Sequence, residues 1–188
     1  YHYQQYRSGV MKAGSTLNQE IKKYYFENGV IPRCGYSSDQ SYSRGDFTDC
    51  NTFYEFMTKS LNTLKYCASN AKSNGCVPEY KGINTVQIAK ENPNVGSCGG
   101  FNEYALQTHT ALVLSDGTIF IPYQSSGQIS PIFIVDVNGI QGPNKFGRDM
   151  HFYTAVFSAR EPKTTDSDLN FIPGGKNCVF YERGVIET

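Results

Sequence analysis

The 188-residue sequence lacks an excess of charge of either sign, because Lys and Arg together number 17 and Asp and Glu together also number 17. A nucleic-acid-binding domain usually carries a basic excess, so this balance argues against that class of protein. The sequence also lacks a signal peptide and any apolar run long enough to span a membrane. Hydrophobic residues nevertheless make up 39% of the chain. Such a composition predicts a folded globular domain with one core.

Motifs of the common enzyme classes are missing as well. The sequence contains no G-x-S-x-G, no P-loop, no H-E-x-x-H and no dinucleotide-binding fingerprint. One pattern suggests catalysis: Cys98, in Ser-Cys-Gly-Gly, could act as a nucleophile together with His109 or His151. Its spacing fits no protease signature, and both histidines fall in predicted strands. A secreted cysteine-dependent hydrolase is therefore the remotest hypothesis, and we expect a protein that is not an enzyme.

The six cysteines form an even set without a C-x-x-C pair: Cys34, Cys50, Cys67, Cys76, Cys98 and Cys178. Structural zinc sites usually show close pairs, so disulfides in an oxidising compartment explain the set better, with buried free thiols as the alternative. Cys67 and Cys76 would close the shortest loop, and Cys34 and Cys50 bracket another polar loop. That pairing would leave Cys98 for Cys178, although the sequence does not determine the connectivity.

Residues 1–28 carry the clearest helical pattern. Apolar residues recur there at spacings of three and four, at Tyr3, Tyr6, Val10, Ala13, Leu17, Ile21 and Tyr24. Asn28-Gly29, followed by Pro32, predicts the end of the helix. No capping residue precedes Tyr3, so we expect this segment to be the second half of a longer helix that continues upstream. A frayed helix that begins here is the alternative.

A second helix is predicted over residues 51–66, capped by Asp49 or Asn51. Its apolar stripe consists of Phe53, Phe56, Met57, Leu61 and Leu64. Residues 67–102 are irregular, with a short strand predicted over 85–88. The whole region 33–107 is therefore interpreted as this helix followed by a disulfide-bearing connector.

The periodicity then changes to that of strands. Residues 108–114 and 118–123 are β-rich and are separated by Ser115-Asp116-Gly117, which is a strong hairpin signal. Further strands are predicted over 131–135 and 150–158. Helices followed by a meander of strands predict an α+β fold with an antiparallel sheet at 108–158. Residues 159–188 are interpreted as a tail of the same single domain, 1–188, with one short strand at 178–181.

One motif in the sheet region carries a family resemblance. A strand ending in Val-Asp-Val-Asn-Gly is followed by Gly-Pro-Asn-Lys-Phe-Gly-Arg-Asp and an aromatic strand. This arrangement resembles type IV pilins and type II secretion pseudopilins, and residues 13–25 are similar to the exposed half of their long helix. The matching positions are Asp136, Val137, Asn138, Gly139, Gly142, Pro143, Asn144, Gly147 and Asp149. The family's hydrophobic half-helix has no counterpart in this sequence. Conversely, the cysteine-rich middle of this sequence has no counterpart in the family.

The resemblance implies a pilin-like fold, with an N-terminal helix packed on an antiparallel sheet, and a structural role in a filament. The implied partners are other pilin subunits, contacted through the N-terminal helix to build an open helical filament. The inner membrane would hold the precursor through the missing segment, and the mature subunit would lie on the bacterial cell surface. The alternative is a minor pilin or tip adhesin that binds a surface ligand through the disulfide-rich region. Whether the machine is a pilus, a secretion pseudopilus or a DNA-uptake apparatus stays open.

The same motif has two chemical interpretations. Asp136-x-Asn138-Gly139 is similar to the opening of a calcium loop, and Asn144 and Asp149 could add oxygen ligands from the far side. The other interpretation is that Asp136 and Asn138 form turn hydrogen bonds while Asp149 holds the loop. The resemblance favours calcium somewhat, since some pseudopilins bind calcium in a loop at a sheet edge. Calcium is the only cofactor that the sequence suggests.

Overall fold

A computed structural model describes residues 2–32, 48–81, 103–123, 132–144, 149–155 and 169–173. Within these residues the α-helices are α1 (His2–Asn28), α2 (Thr48–Ser60) and α3 (Glu103–Thr108), and a short 3-10 helix covers Gly139–Gln141. The strands are β1 (Thr63–Cys67), β2 (Ala111–Leu114), β3 (Ile119–Tyr123), β4 (Ile132–Asp136), β5 (Met150–Ala155) and β6 (Phe171–Pro173). None of the helices in the described ranges is both long and apolar enough to cross a membrane.

The strands form one sheet in which each strand pairs with the next along the chain, in the order β1-β2-β3-β4-β5-β6. Every pairing is antiparallel. The hairpin between β2 and β3 turns at Gly117, whose φ of 90° lies in the region that glycine tolerates best. The predicted α+β class, with an N-terminal helix and an antiparallel sheet, is therefore confirmed.

Helix α1 follows its predicted pattern. Its buried apolar side chains are Val10, Ala13, Leu17, Ile21 and Tyr24, which share one helix face and pack toward the sheet. Gly29 ends the helix with a φ of 70°, and its N–H donates to the carbonyl of Tyr25 at 2.8 Å. The predicted end of this helix is confirmed, and so is the buried face from Val10 to Tyr24. Tyr6, also predicted on that face, is half-buried, and the side chain of Tyr3 lies outside the description.

The second helix was predicted incorrectly at both ends. It begins at Thr48, so Asp49 and Asn51 lie within the helix and do not cap it. It stops at Ser60, and most of the remaining predicted residues form β1, which pairs with β2 from Thr63 opposite Leu114 to Cys67 opposite Ala111. Leu64, a predicted core residue, is 72% exposed. The apolar residues of this segment are spaced as in a helix, but the sequence offers no C-terminal capping signal there. Pairing with β2 and the disulfide at Cys67 therefore decide its structure.

Other boundaries also differ from the prediction. Residue 108 ends α3 instead of opening a strand, so β2 begins at Ala111 and His109 lies in the turn before it. The region 33–107 contributes β1 to the sheet, and the predicted tail, 159–188, contributes β6. The sheet therefore extends beyond 108–158 in both directions. The strands predicted over 85–88 and 178–181 lie outside the described residues.

Both faces of the sheet are covered. On one face, here called the helix face, α1 and α2 pack on side chains from alternate strand positions, including Leu112, Phe120, Phe133, Val135 and Tyr153. On the other, here called the connector face, residues 68–81 and α3 pack on Val113, Ile119, Ile121, Ile132, Ile134, Met150 and Phe152. Because β4 lies between the two layers, all five of its residues are buried.

Candidate functional site at the end of strand β4

The candidate site is the segment 136–144, here called the Asp136 loop, together with Asp149. Strand β4 ends at Asp136, which pairs with Met150 at the start of β5. The N–H of Val137 donates to the carbonyl of Asp149 at 2.7 Å. Antiparallel pairing therefore brings the two aspartates, which are 13 positions apart in the printed sequence, to the same end of adjacent strands.

Asp136 is fully buried and is surrounded by hydrogen-bond donors. Its Oδ1 accepts from the N–H groups of Asn138 at 3.2 Å and Gly139 at 2.9 Å, while the Tyr80 hydroxyl donates to Oδ2 at 3.1 Å. The Asn144 amide, oriented so that its nitrogen meets acceptors, donates to the same Oδ2 at 2.9 Å and to the Gly139 carbonyl at 3.0 Å. The carboxyl group thus receives four hydrogen bonds, which hold the first turn of the loop.

Two opposing effects act on this carboxyl group. Burial raises the pKa of Asp136 to about 8, and the nearby charge of Asp149 acts in the same direction. The hydrogen bonds from Tyr80, Asn138 and Gly139 lower the pKa because they favour the anion. The pKa of Tyr80 is raised, first by burial and then by Asp136, so the phenol keeps its proton and serves as a donor.

Asn138 and Asn144 of the motif also lie in the loop, whereas Gly147 lies outside the described residues. The Asn138 side chain donates through Nδ2 to the Gly142 carbonyl, and Asp149 Oδ2 accepts from the Asn144 N–H at 2.7 Å. Both aspartates therefore hold Asn144 at the end of the loop. Asp149 accepts from the backbone N–H of Asn144, and Asp136 accepts from the side-chain amide of Asn144. The Gly142–Pro143 peptide bond is cis.

These hydrogen bonds test the calcium hypothesis, because they show which oxygen atoms are left to bind a metal ion. A calcium ion needs at least about six oxygen ligands. In the arrangement described, both oxygens of Asp136 accept hydrogen bonds, and the Asn138 and Asn144 amides act as donors. Within the described ranges no group of three or more His, Cys, Asp or Glu side chains is placed to hold a metal ion. The residues as arranged do not fit a calcium shell, and their contacts are those of the turn interpretation; calcium binding itself is a hypothesis that ion titration tests.

The Asp136 loop contacts two further elements that sequence reasoning did not connect to it. A Cβ at Gly139 would lie 2.2 Å from the Gly117 carbonyl oxygen, so the loop rests directly on the β2–β3 turn. A Cβ at Gly9 would lie 2.9 Å from the Cβ of Val137, so α1 approaches the loop closely. Tyr80 was missed too, because nothing in its local sequence indicates a partner 56 residues away.

The two candidate catalytic histidines, His109 and His151, lie in different elements of the fold. His109 lies in the turn before β2, where its carbonyl accepts from the Ala71 N–H at 3.1 Å, and burial lowers the pKa of its imidazole. His151 is a buried residue of β5 and pairs with Val135, not with His109. Cys98 lies outside the described residues. The correction to the prediction is that only His151 is in a strand.

One predicted disulfide is confirmed. Cys67 and Cys76 are bonded, with a Cα–Cα distance of 6.3 Å, and close the loop that covers the connector face. The sulfur positions of Cys34, Cys50, Cys98 and Cys178 fall outside what the structure describes, so their pairing stays a prediction.

A second buried carboxyl group, Glu20, lies where α1 meets α2. It is 3% exposed, and its Oε1 accepts from the Ser60 hydroxyl at 3.1 Å and lies 3.7 Å from the Lys23 ammonium. Its Oε2 is buried and accepts no hydrogen bond from the residues described. Burial is the largest effect on Glu20 and raises its pKa, although Ser60 and Lys23 oppose this. No motif in the sequence pointed to this group.

Comparison of the chain with protein-family models, curated proteins and solved structures finds no match. The resemblance to pilins therefore depends on the motif around Asp136 and on the pattern of α1.

Proposed function

We propose that this chain is a structural subunit of an extracellular filament, a pilin or pseudopilin, and not an enzyme. The observation that supports this most strongly is the placement of the motif. The family-like residues 136–144 form the loop that ends β4, and this loop packs against the N-terminal helix at Gly9. A pilin-like fold requires such a helix to lie along an antiparallel sheet.

The two sides of α1 support the proposal further. One side is buried against the sheet, whereas Met11 is 67% exposed and Phe26 is 72% exposed on the rest of the helix. At about 1.5 Å per residue, the 27 residues of α1 make a helix of about 40 Å. A long helix with exposed apolar side chains suits contacts between neighbouring subunits, and contacts that do not close into a ring produce an open filament.

The proposal assigns the other partners by the same reasoning. Other copies of this subunit, or related subunits, would contact the chain through α1. An apolar segment preceding Tyr1 would anchor the precursor in the inner membrane of a bacterium and would later lie in the filament. The mature subunit would then be found outside the cell.

The coding sequence upstream of Tyr1 tests the proposal. We expect a short basic leader and then about 20 apolar residues, which is enough for one membrane span. Filaments sheared from the source cells and identified by mass spectrometry provide a second test. The proposal would be wrong if the upstream segment encoded another globular domain and the protein stayed in the cytoplasm.

A further inference from the structure

The Asp136 loop is the place where three separate parts of the chain meet. The disulfide-bearing segment reaches it through Tyr80, α1 reaches it at Gly9, and the β2–β3 turn supports it at Gly117. Tyr80 lies on the connector face, and α1 lies on the helix face. The loop is thus a point of contact between the two layers that the sheet otherwise separates.

The connection from Tyr80 to α1 consists of short contacts. The Tyr80 hydroxyl donates to one oxygen of Asp136, and the other oxygen holds the N–H groups of Asn138 and Gly139. Val137 lies between these anchored residues. Its side chain is the group that a Cβ at Gly9 would meet. The position of Val137 therefore depends on Asp136, and the position of α1 near Gly9 depends on Val137.

The connection continues on the other side of the sheet. Residues 68–81 are held to the end of α3 and the turn after it by three backbone N–H groups, which donate to carbonyl oxygens: Asn70 to Thr108 at 2.7 Å, Ala71 to His109 at 3.1 Å and Lys72 to Gln107 at 2.9 Å. The Tyr80 N–H also donates to the Gln107 side chain at 3.2 Å. Tyr80 is therefore held at its backbone N–H and at its hydroxyl group. A displacement of the Asp136 carboxyl group would for that reason also shift the segment that carries Tyr80.

We infer that the Asp136 loop couples the position of α1 near Gly9 to the position of the disulfide-bearing segment on the opposite face of the sheet. Displacement of α1 near Gly9 would free Val137, loosen the turn at Asp136 and release the Tyr80 hydroxyl. Coupling of this kind passes through contiguous packed and hydrogen-bonded groups. The inference goes beyond the proposed function, because it holds for any partner that displaces α1.

A double-mutant cycle tests the coupling with a matched control on the same helix. Gly9→Ala places a methyl group against Val137 of the loop, whereas Gly14→Ala places one 3.2 Å from Cε1 of Tyr153, on β5. Both changes carry the same gain in helix propensity, which cancels when each is compared between two backgrounds. The backgrounds are the wild type and Tyr80→Phe, which removes only the hydroxyl group. The readout is the melting temperature of the purified 188-residue chain.

We expect Gly9→Ala to shift the melting temperature differently in the two backgrounds, by about 2 °C or more, with the less unfavourable shift in the Tyr80→Phe background. Gly14→Ala should shift it equally in both. Equal shifts for Gly9→Ala in the two backgrounds would overturn the inference. An equal difference between the two backgrounds for Gly14→Ala would also overturn the inference, because it would show that Tyr80→Phe destabilises the whole fold and not the loop contact specifically.

Discussion

The two faces of the sheet are buried by different means. On the helix face, aromatic rings surround Phe133, whose ring centroid lies 5.7 Å from those of Tyr54 and Phe171 and 6.3 Å from those of Phe53 and Phe120. On the connector face, strand residues that are mostly aliphatic are covered by the short helix α3 and by an irregular segment that is closed by a disulfide. Regular helices can bury a sheet through packing alone, whereas an irregular segment depends on covalent and polar anchors.

Neighbouring residues on β4 give the sharpest test of this difference. Phe133 faces the helices and Ile134 faces the connector, and both are fully buried. We expect Phe133→Ala to lower the free energy of unfolding by about 3–5 kcal/mol, a cost that includes the loss of its edge-to-face ring contacts. Ile134→Ala, which falls in a general range of about 2–5 kcal/mol, should cost less than Phe133→Ala because it removes fewer buried atoms and no ring contacts. Denaturant unfolding of both variants measures this, and an equal or larger cost for Ile134→Ala would contradict the comparison.

Removal of the disulfide should have the next largest effect. Cys67 and Cys76 are separated by nine positions, and closing a loop of that size stabilises a protein by about 2–3 kcal/mol by restricting the unfolded chain. We expect the double variant Cys67→Ala/Cys76→Ala to lose this amount in denaturant unfolding. The loss in hydrogen-exchange protection should be concentrated in residues 68–81. An equal loss of hydrogen-exchange protection in α1 would show that the disulfide stabilises the whole fold and not the connector face in particular.

These differences also show what the sequence could predict. The buried stripe of α1, the hairpin at Asp116-Gly117 and the antiparallel sheet follow from local periodicity and turn residues. Strand β1 could not be recognised, because its position depends on pairing with β2 across about 45 residues and on a disulfide. The same holds for the partners of Asp136. The motif predicted that the loop would be ordered by its own residues, but Tyr80 and Gly9 lie far away in the chain and reach it only through the fold.

Glu20 tests the junction of α1 with α2 through pH. Because its pKa is raised in the folded protein, its protonated form is favoured by folding. This contribution is fully present below the unfolded pKa of about 4.3 and is lost as the pH rises through the folded pKa. We therefore expect Glu20→Gln to stabilise the protein at pH 7, by up to about 1 kcal/mol, and to have less effect near pH 4.

The matched control for Glu20 is Glu55→Gln, which changes an exposed carboxylate on α2; Glu27 would not serve, because its charge contributes to the raised pKa of Glu20. Thermal unfolding of both variants measures the effect, from just below the ordinary Glu pKa of about 4.3 up to neutral pH. If Glu20→Gln destabilised the protein at pH 7, the ion pair with Lys23 would outweigh the burial of the carboxylate, and the account of this junction would be wrong.

The smallest expected effect concerns calcium at the Asp136 loop. Since Asp136 already accepts four hydrogen bonds in the arrangement described, we expect calcium and chelator to leave the melting temperature of the wild type unchanged. Asp136→Ala should lower it in both conditions. A rise with calcium, equivalent to about 2.7 kcal/mol at a hundred times the dissociation constant, would instead assign the loop to metal binding if Asp136→Ala abolished it.

The central claim, that this chain is a filament subunit, is tested most directly by immunogold electron microscopy of the source cells with antibodies against the folded domain. We expect gold particles along surface filaments, and we expect both label and filaments to disappear in a strain that lacks the gene. Complementation with the full-length gene should restore both. Label confined to the cell interior, or filaments unchanged in the deletion strain and free of label, would contradict the account.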